Sequence, residues 1–324
     1  MTGLRQPPKQ ERTSRILVRI LVLIVMLLAF ATAVWTATTK TLIRATEDVS
    51  LESLELETRV VRGGTTINIV SEPGGPVPVV FLHGYDISGG VLWDQVVQEL
   101  GGQYHPVRID LPGFGMSDRL PTRGAQHTVA SMAEVVAAAL EIDLDLPAVV
   151  VGVGLGAEVA AELAVTQPTL VRGIVLIDVD FWERRSWIEI SERLPWIGEA
   201  LTYTLETGGR FSGSQWAPWC DVGGWCPTPD QAAARDLAAS ISNSTDSMQA
   251  FLRTPPASLV PSDLDVIEVP VVYVWSSEGG VPEDSVERVQ AAIPAAIEVL
   301  KVDVYQAHLE SPSVVAGAVA AVDP

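Results

Sequence analysis

Residues Ala148-Val-Val-Val-Gly152-Val-Gly154-Leu-Gly156 run from an apolar, β-branched stretch through a glycine-rich turn into a helix of small residues. A strand, a sharp turn and a helix are the setting in which G-x-S-x-G exposes a serine nucleophile. The central position here is Gly154. Glycine brings no hydroxyl, thiol or carboxylate, so covalent attack cannot start from that position. It also relieves backbone strain of about 1–3 kcal/mol that a side chain would carry in such a turn. The remaining groups with chemical potential are few. They are His83, His105, His127 and His308, the acids Asp178, Asp180 and Glu278, and the cysteines Cys220 and Cys226. His105 and His127 read as surface loop residues. Two cysteines without a neighbouring histidine do not make a zinc site, so neither a metal nor a cofactor is expected.

The elements that must position these groups follow from hydrophobic patterning. Glu57–Arg62 and Thr65–Val70 alternate around a Gly-Gly turn and read as an antiparallel hairpin. Continuous apolar runs at 78–83, 107–110, 148–151, 173–178 and 269–275, with a mixed run at 297–302, read as strands buried on both faces. Helical stretches at 128–140 and 156–166 alternate with them. This alternation implies an α/β fold with a mostly parallel central sheet flanked by helices.

At this point the chain resembles the α/β-hydrolases, in particular their esterase, epoxide-hydrolase and peroxidase-like group. His83-Gly84-Tyr85 resembles the H-G-x that ends the third strand. Asp110-Leu-Pro-Gly-Phe-Gly-Met-Ser117 resembles the D-x-P-G-x-G-x-S loop, and Val281-Pro282 the V-P that follows the acid. The resemblance implies a hydrolase domain over 57–324 with a helical cap insertion at about 181–266. It places Gly154 in the nucleophile slot and Glu278 in the acid slot, with Asp178 and Asp180 as alternative acids. Counting back from Pro312 puts Tyr305 in the base slot, with His308 as an alternative base. The backbone N–H groups of Tyr85 and Leu155 would form the oxyanion hole, which survives loss of the serine. His83 and the Asp110–Ser117 loop are assigned to structure.

Charge and hydropathy bound the partners. Residues 1–44 carry seven Lys/Arg and one Glu, leaving 14 basic and 39 acidic residues beyond them, a net of −25. Such a body repels phosphate backbones, which excludes nucleic acid as a natural partner. The 18 residues Ile20–Ala37 are interrupted only by two Thr and one Trp. They read as a transmembrane signal anchor at 20–37, after a cytoplasmic basic segment at 1–19 and before a connector at 38–56. A cleaved signal peptide ending at Ala31-Thr-Ala33 is the rival reading, and both put the body outside the cytoplasm. In an oxidising compartment Cys220 and Cys226 would pair.

Six of the nine tryptophans, Trp182, Trp187, Trp196, Trp216, Trp219 and Trp225, fall within the expected cap. Tryptophan offers large apolar area with one donor, suited to lining a pocket. The expected function is therefore a membrane-anchored, non-catalytic binder of an apolar small molecule or a protein partner. A hydrolase of small or lipid esters with an atypical site, and a lyase or oxygenase of the same fold, are the alternatives.

Overall fold

The structure is a computed structural model and describes residues 9–54, 56, 58–60, 64–120, 127–144, 147–181, 194, 197–204, 225–253, 261–293 and 297–323. A long helix α1 (Lys9–Thr46) leads into the hairpin β1 (Thr58–Val60) and β2 (Thr66–Ser71), which pairs antiparallel with Arg59 opposite Ile67. Then come β3 (Val77–Leu82), α2 (Asp94–Glu99), β4 (Tyr104–Ile109), α3 (Val129–Asp143), β5 (Ala148–Val153), α4 (Leu155–Thr166) and β6 (Val171–Ile177). An insertion carries α5 (Ile197–Thr202), α6 (Pro229–Ser240), α7 (Ser244–Arg253) and α8 (Pro261–Leu264). The chain ends with β7 (Val271–Ser276), α9 (Glu283–Ala292), β8 (Ile297–Val302), α10 (Ala307–Glu310) and α11 (Pro312–Val322).

The strands form one sheet of order β1-β2-β4-β3-β5-β6-β7-β8, antiparallel at β1/β2 and β2/β4 and parallel elsewhere. Apolar runs become two-sided core because neighbouring side chains point to opposite faces. Val80 and Leu82 face one hydrophobic cluster with Val150 and Leu176, while Val79 and Phe81 face the other with Val149, Val151 and Val175. Helix α4 lies close on β3, since a Cβ at Gly156 would collide with the carbonyl of Leu82. The parallel order aims the carboxyl ends of β3, β5, β6, β7 and β8 at one edge, where a ligand crevice belongs.

Helix α1 is longer than the hydropathy run suggests. It continues to Thr46, so the first part of the segment read as a connector is helical. Hydroxyls of Thr38, Thr41 and Thr46 bond back to the carbonyls of Val34, Ala37 and Leu42, which keeps these β-branched residues compatible with the helix. Residues Ile16–Thr46 are long and apolar enough to cross a membrane, and their most apolar window is unburied. Its length and composition suit a membrane anchor or a signal sequence.

Of the six clustered tryptophans only Trp225 is among the described residues. It is nearly buried and packs on Leu92 and Leu309. Cys220 also lies outside them, so its pairing with Cys226 stays an expectation.

Candidate functional site

A pocket of about 550 Å³ opens at the carboxyl edge of the sheet. It is lined by Tyr85 after β3, Gly154 after β5, Asp178 after β6, Glu278 after β7, and Tyr305 and His308 after β8. Five sequence-selected residues, Gly154, Glu278, Tyr305, His308 and Tyr85, thus converge on one cavity. Leu155 begins α4 directly beside it, and its N–H is a first-turn group with no partner inside the helix.

Gly154 occupies the β5–α4 turn at φ 50° and ψ −114°. Its N–H donates to the carbonyl of Ile177 at 2.9 Å, and its own carbonyl accepts from Ala157 and Glu158. These bonds hold the sharp turn in place although no side chain projects from it. A Cβ built on Gly154 meets no atom within 4 Å. Space for a side chain remains, and only the left-handed backbone opposes one.

His308 sits on α10, 4% exposed, with its ring centroid 5.1 Å from that of Trp93. Among the described residues its Nδ1 has no hydrogen-bond partner, nor has the indole Nε1 of Trp93. Burial alone pushes the imidazole down to about 3, so it is neutral at ordinary pH. Glu278 does not orient it. That carboxylate is exposed and makes no hydrogen bond or ion pair among the described residues, and only its backbone N–H is fixed, on the carbonyl of Val304 at 3.1 Å. Tyr305 is held through its backbone, its N–H and that of Gln306 both donating to Glu310 Oε1 at 3.1 and 2.9 Å.

The anchored carboxylate of the pocket is Asp178, the alternative acid position. It adopts φ 48°, a rare conformation for a non-glycine residue. Its two oxygens accept from the N–H of Ser276 at 2.7 Å and from the Ser276 hydroxyl at 2.6 Å. Burial raises it to about 6, against these stabilising bonds. Ser276, which the sequence reading did not select, also accepts from the N–H of Ala307 at 2.9 Å. One buried hydroxyl therefore ties the β6 turn to the segment carrying His308. Asp180 is used elsewhere, accepting from Ser285 at 2.6 Å.

Beside the pocket, His83 is fully engaged. Its Nδ1 donates to the carbonyl of Gly84 at 2.7 Å and its Nε2 accepts the N–H of Leu111 at 2.9 Å. Burial pushes its pKa down, in keeping with a neutral ring that donates on one side and accepts on the other. Asp110 accepts from Gly90, Met116 and Asn68, and Ser117 donates to the Asp110 carbonyl. The guanidinium of Arg119 bonds carbonyls of Phe114, Gly115, Ser117 and Ala238 and the hydroxyl of Ser244, which clamps this loop to the insertion.

Two histidine placements differ from expectation. His105 lies on β4, bonded to Ser71 Oγ at 2.8 Å, because the strand starts at Tyr104, ahead of the apolar run. His127 is buried, 4% exposed, at the entrance to α3. Among the described residues no group of three His, Cys, Asp or Glu stands ready to hold a metal ion.

Known proteins agree with this architecture. The model of the Alpha/beta hydrolase family matches residues 79–318. A pimeloyl-[acyl-carrier protein] methyl ester esterase of Aeromonas salmonicida (strain A449) is 33% identical over 119 residues, covering 36% of this chain and 44% of the esterase. The chain thus matches less than half the length of that relative. Among solved structures, a membrane phospholipase A described as a bacterial virulence factor superposes with a TM-score of 0.61 at 22% identity, covering 95% of this chain and 96% of that one. A haloalkane dehalogenase from Bradyrhizobium elkani USDA94 gives a TM-score of 0.62 at 18% identity, with coverage of 83% and 98%. Both structures share the fold. With the sheet order, the turn at Gly154 and a match over most of its length, the chain belongs to the alpha/beta hydrolase family.

Proposed function

We propose that this is a membrane-held member of the family that binds an apolar small molecule, or a partner, in its pocket without hydrolysing it. The observation that carries this reading is the pair Gly154 and His308. The turn that would present a nucleophile presents no side chain, and the histidine in the same pocket has, among the described residues, no partner for Nδ1 and is kept neutral by burial. A triad histidine needs an acid on that nitrogen to hold its tautomer and stabilise the imidazolium. Loss of such members removes most of the rate, leaving about 10³–10⁴-fold over water from binding and backbone donors.

The pocket volume of about 550 Å³ suits a small ligand. Trp225, packed on Leu92 of the pocket wall, supports an apolar occupant from the side of the insertion. In this reading the insertion acts as a cap and the Cys220–Cys226 pair as a local disulfide within it. Helix α1 stays uncleaved, its basic N-terminus cytoplasmic and the body outside. A mass of the native chain short by the residues up to Ala33 would show cleavage and a secreted body instead.

A second reading, a hydrolase of small or lipid esters, draws on the relative named as a methyl ester esterase and on Asp178. This buried carboxylate, raised to about 6, is placed in the pocket and could activate a water. The lyase or oxygenase reading has no observation of its own. A fluorophosphonate probe separates the first two poorly, because neither uses a serine at position 154. Intact-mass analysis of gently purified protein does better. A co-purified apolar compound recovered chemically unchanged supports binding, whereas steady ester turnover lost in Asp178→Asn overturns it.

A further inference from the structure

The candidate span Ile16–Thr46 has 31 residues, about 46 Å of helix against a hydrocarbon core of about 30 Å. About ten residues, some 16 Å, must therefore stand outside the core, counted over its two ends. Trp35 lies near the far end of the apolar run 20–37, close to the level at which tryptophan prefers to sit. The exposed cations Lys40 and Arg44 follow at headgroup height.

This protruding part is docked rather than free. Trp35, Thr36, Thr39, Leu42, Ile43 and Thr46 are buried or half-buried, a stripe at helical spacing along one face. This face meets α5; beside it Lys40 Nζ lies 3.0 Å from Glu199, and the Thr46 hydroxyl lies 3.2 Å from that of Tyr203, just past α5. Directly after the helix, Glu47 accepts from the N–H of Thr245 at 3.0 Å and from the Thr245 hydroxyl, and Val49 bridges to Ile241. Thr245 lies in the first turn of α7, and further along α7 packs on Tyr85, a residue of the pocket wall. Met248 accepts the Tyr85 hydroxyl at 3.2 Å, and Phe251 packs on the Tyr85 ring at 5.5 Å. Thr245 and Phe251 are about 9 Å apart along a helix. A continuous packed path therefore joins the membrane level to the pocket wall.

The pocket lining also selects its occupant by charge. It includes Asp86, Asp178 and Glu278 and, among the described residues, no Lys or Arg. An anionic head such as a phosphate or carboxylate would be repelled there.

We propose that the pocket is loaded from the leaflet at the C-terminal end of α1, and that its occupant is a neutral long-chain lipid of the long-chain ester, alcohol or glyceride class. This rests on the binding reading above and on retention of α1. The docked helix holds α5 and α7 against the headgroups, so the ligand need not cross water.

The test uses the full chain in phosphatidylcholine nanodiscs carrying one of two photoreactive diazirine probes of equal chain length, a monoacylglycerol or a free fatty acid. After irradiation the labelled peptides are mapped by mass spectrometry. Pocket peptides containing Tyr85, Val153 or Val281 should label about tenfold more with the monoacylglycerol, a preference of about 1.4 kcal/mol. Equal or greater labelling by the fatty acid overturns the ligand class, and labelling confined to α1 overturns loading from the leaflet. The undocked variant Glu47→Ala with Lys40→Glu should lose pocket labelling while α1 labelling persists. Unchanged pocket labelling in that variant, with its thermal transition intact, overturns the membrane route. The binding reading fails separately, if a short-chain water-soluble diazirine also leaves the pocket unlabelled. The non-catalytic reading fails by itself if the monoacylglycerol is recovered as glycerol and acid.

Discussion

His83 and His308 are both buried histidines at the carboxyl edge of one sheet, yet they live in opposite surroundings. His83 has both ring nitrogens bonded and belongs to a loop network built on Asp110, Asn68, Ser117 and Arg119. His308 packs against Trp93 with Nδ1 unpartnered among the described residues, and Glu278, the expected acid, is exposed. A buried polar group without a partner costs about 1–3 kcal/mol, while a satisfied one stabilises by about 1 kcal/mol. The first histidine holds a loop together through both ring nitrogens. The second shares its pocket with a turn that presents no side chain and, among the described residues, has no partner on Nδ1.

The largest effect should come from the satisfied side. Asp110→Ala strands the donors of Gly90, Met116 and Asn68 in a buried loop and should destabilise by about 3–5 kcal/mol, seen as a large drop in the thermal midpoint of the detergent-solubilised chain. His83→Phe should cost about 2–3 kcal/mol, because the N–H of Leu111 and the carbonyl of Gly84 lose their partners. His308→Phe keeps ring volume and removes an unsatisfied nitrogen, so its midpoint should change by about 1 kcal/mol or less, in either direction. Equal losses in the two histidine variants would erase the contrast.

Titration sharpens the contrast further. His308 is held down to about 3 from an ordinary 6.5. Below 6.5 the unfolded chain takes up a proton that the folded chain refuses, so this residue's contribution is complete above 6.5 and is lost as pH falls. Between pH 7 and pH 5 that loss should be about 2 kcal/mol. Glu47, raised to about 7, and Asp178, raised to about 6, act with the opposite sign. Their contributions are present at low pH and fade as pH rises toward those values. The difference between the wild type and His308→Phe isolates the histidine, and two parallel stability profiles would contradict its assignment. A modest effect is expected of Gly154→Ser. Its Cβ has room, so only the φ of 50° opposes it, at a cost of about 1–2 kcal/mol.

Much of the architecture was legible because buried parallel strands must be continuous apolar runs. The runs starting at 78, 148, 173 and 269 all became strands, extended or trimmed by a few residues at their ends. Start and stop were less clear at β4, where Tyr104 and His105 are polar residues on a strand that the hydropathy run places three residues later. The turn at Gly154 was legible from its spacing alone. Which acid is anchored was not, because Glu278 and Asp178 both follow strands and only the fold reveals that Ser276 faces Asp178. The tie between Glu47 and Thr245 spans 198 positions and leaves no local pattern, so no periodicity could have revealed it. His127 looked like a loop residue because burial at a helix entrance depends on what packs over it.

The central claim is that this pocket binds and does not hydrolyse. Its most direct test is steady-state hydrolysis of a long-chain monoacylglycerol and of a short-chain nitrophenyl ester by the full chain in nanodiscs, beside Gly154→Ser, Asp178→Asn and His308→Ala. The account predicts the same low, residual rate for all four proteins, with no gain in the one whose hydroxyl is restored, because among the described residues His308 has no acid on Nδ1 to orient it. Saturable turnover by the wild-type chain that collapses in Asp178→Asn or His308→Ala would contradict it.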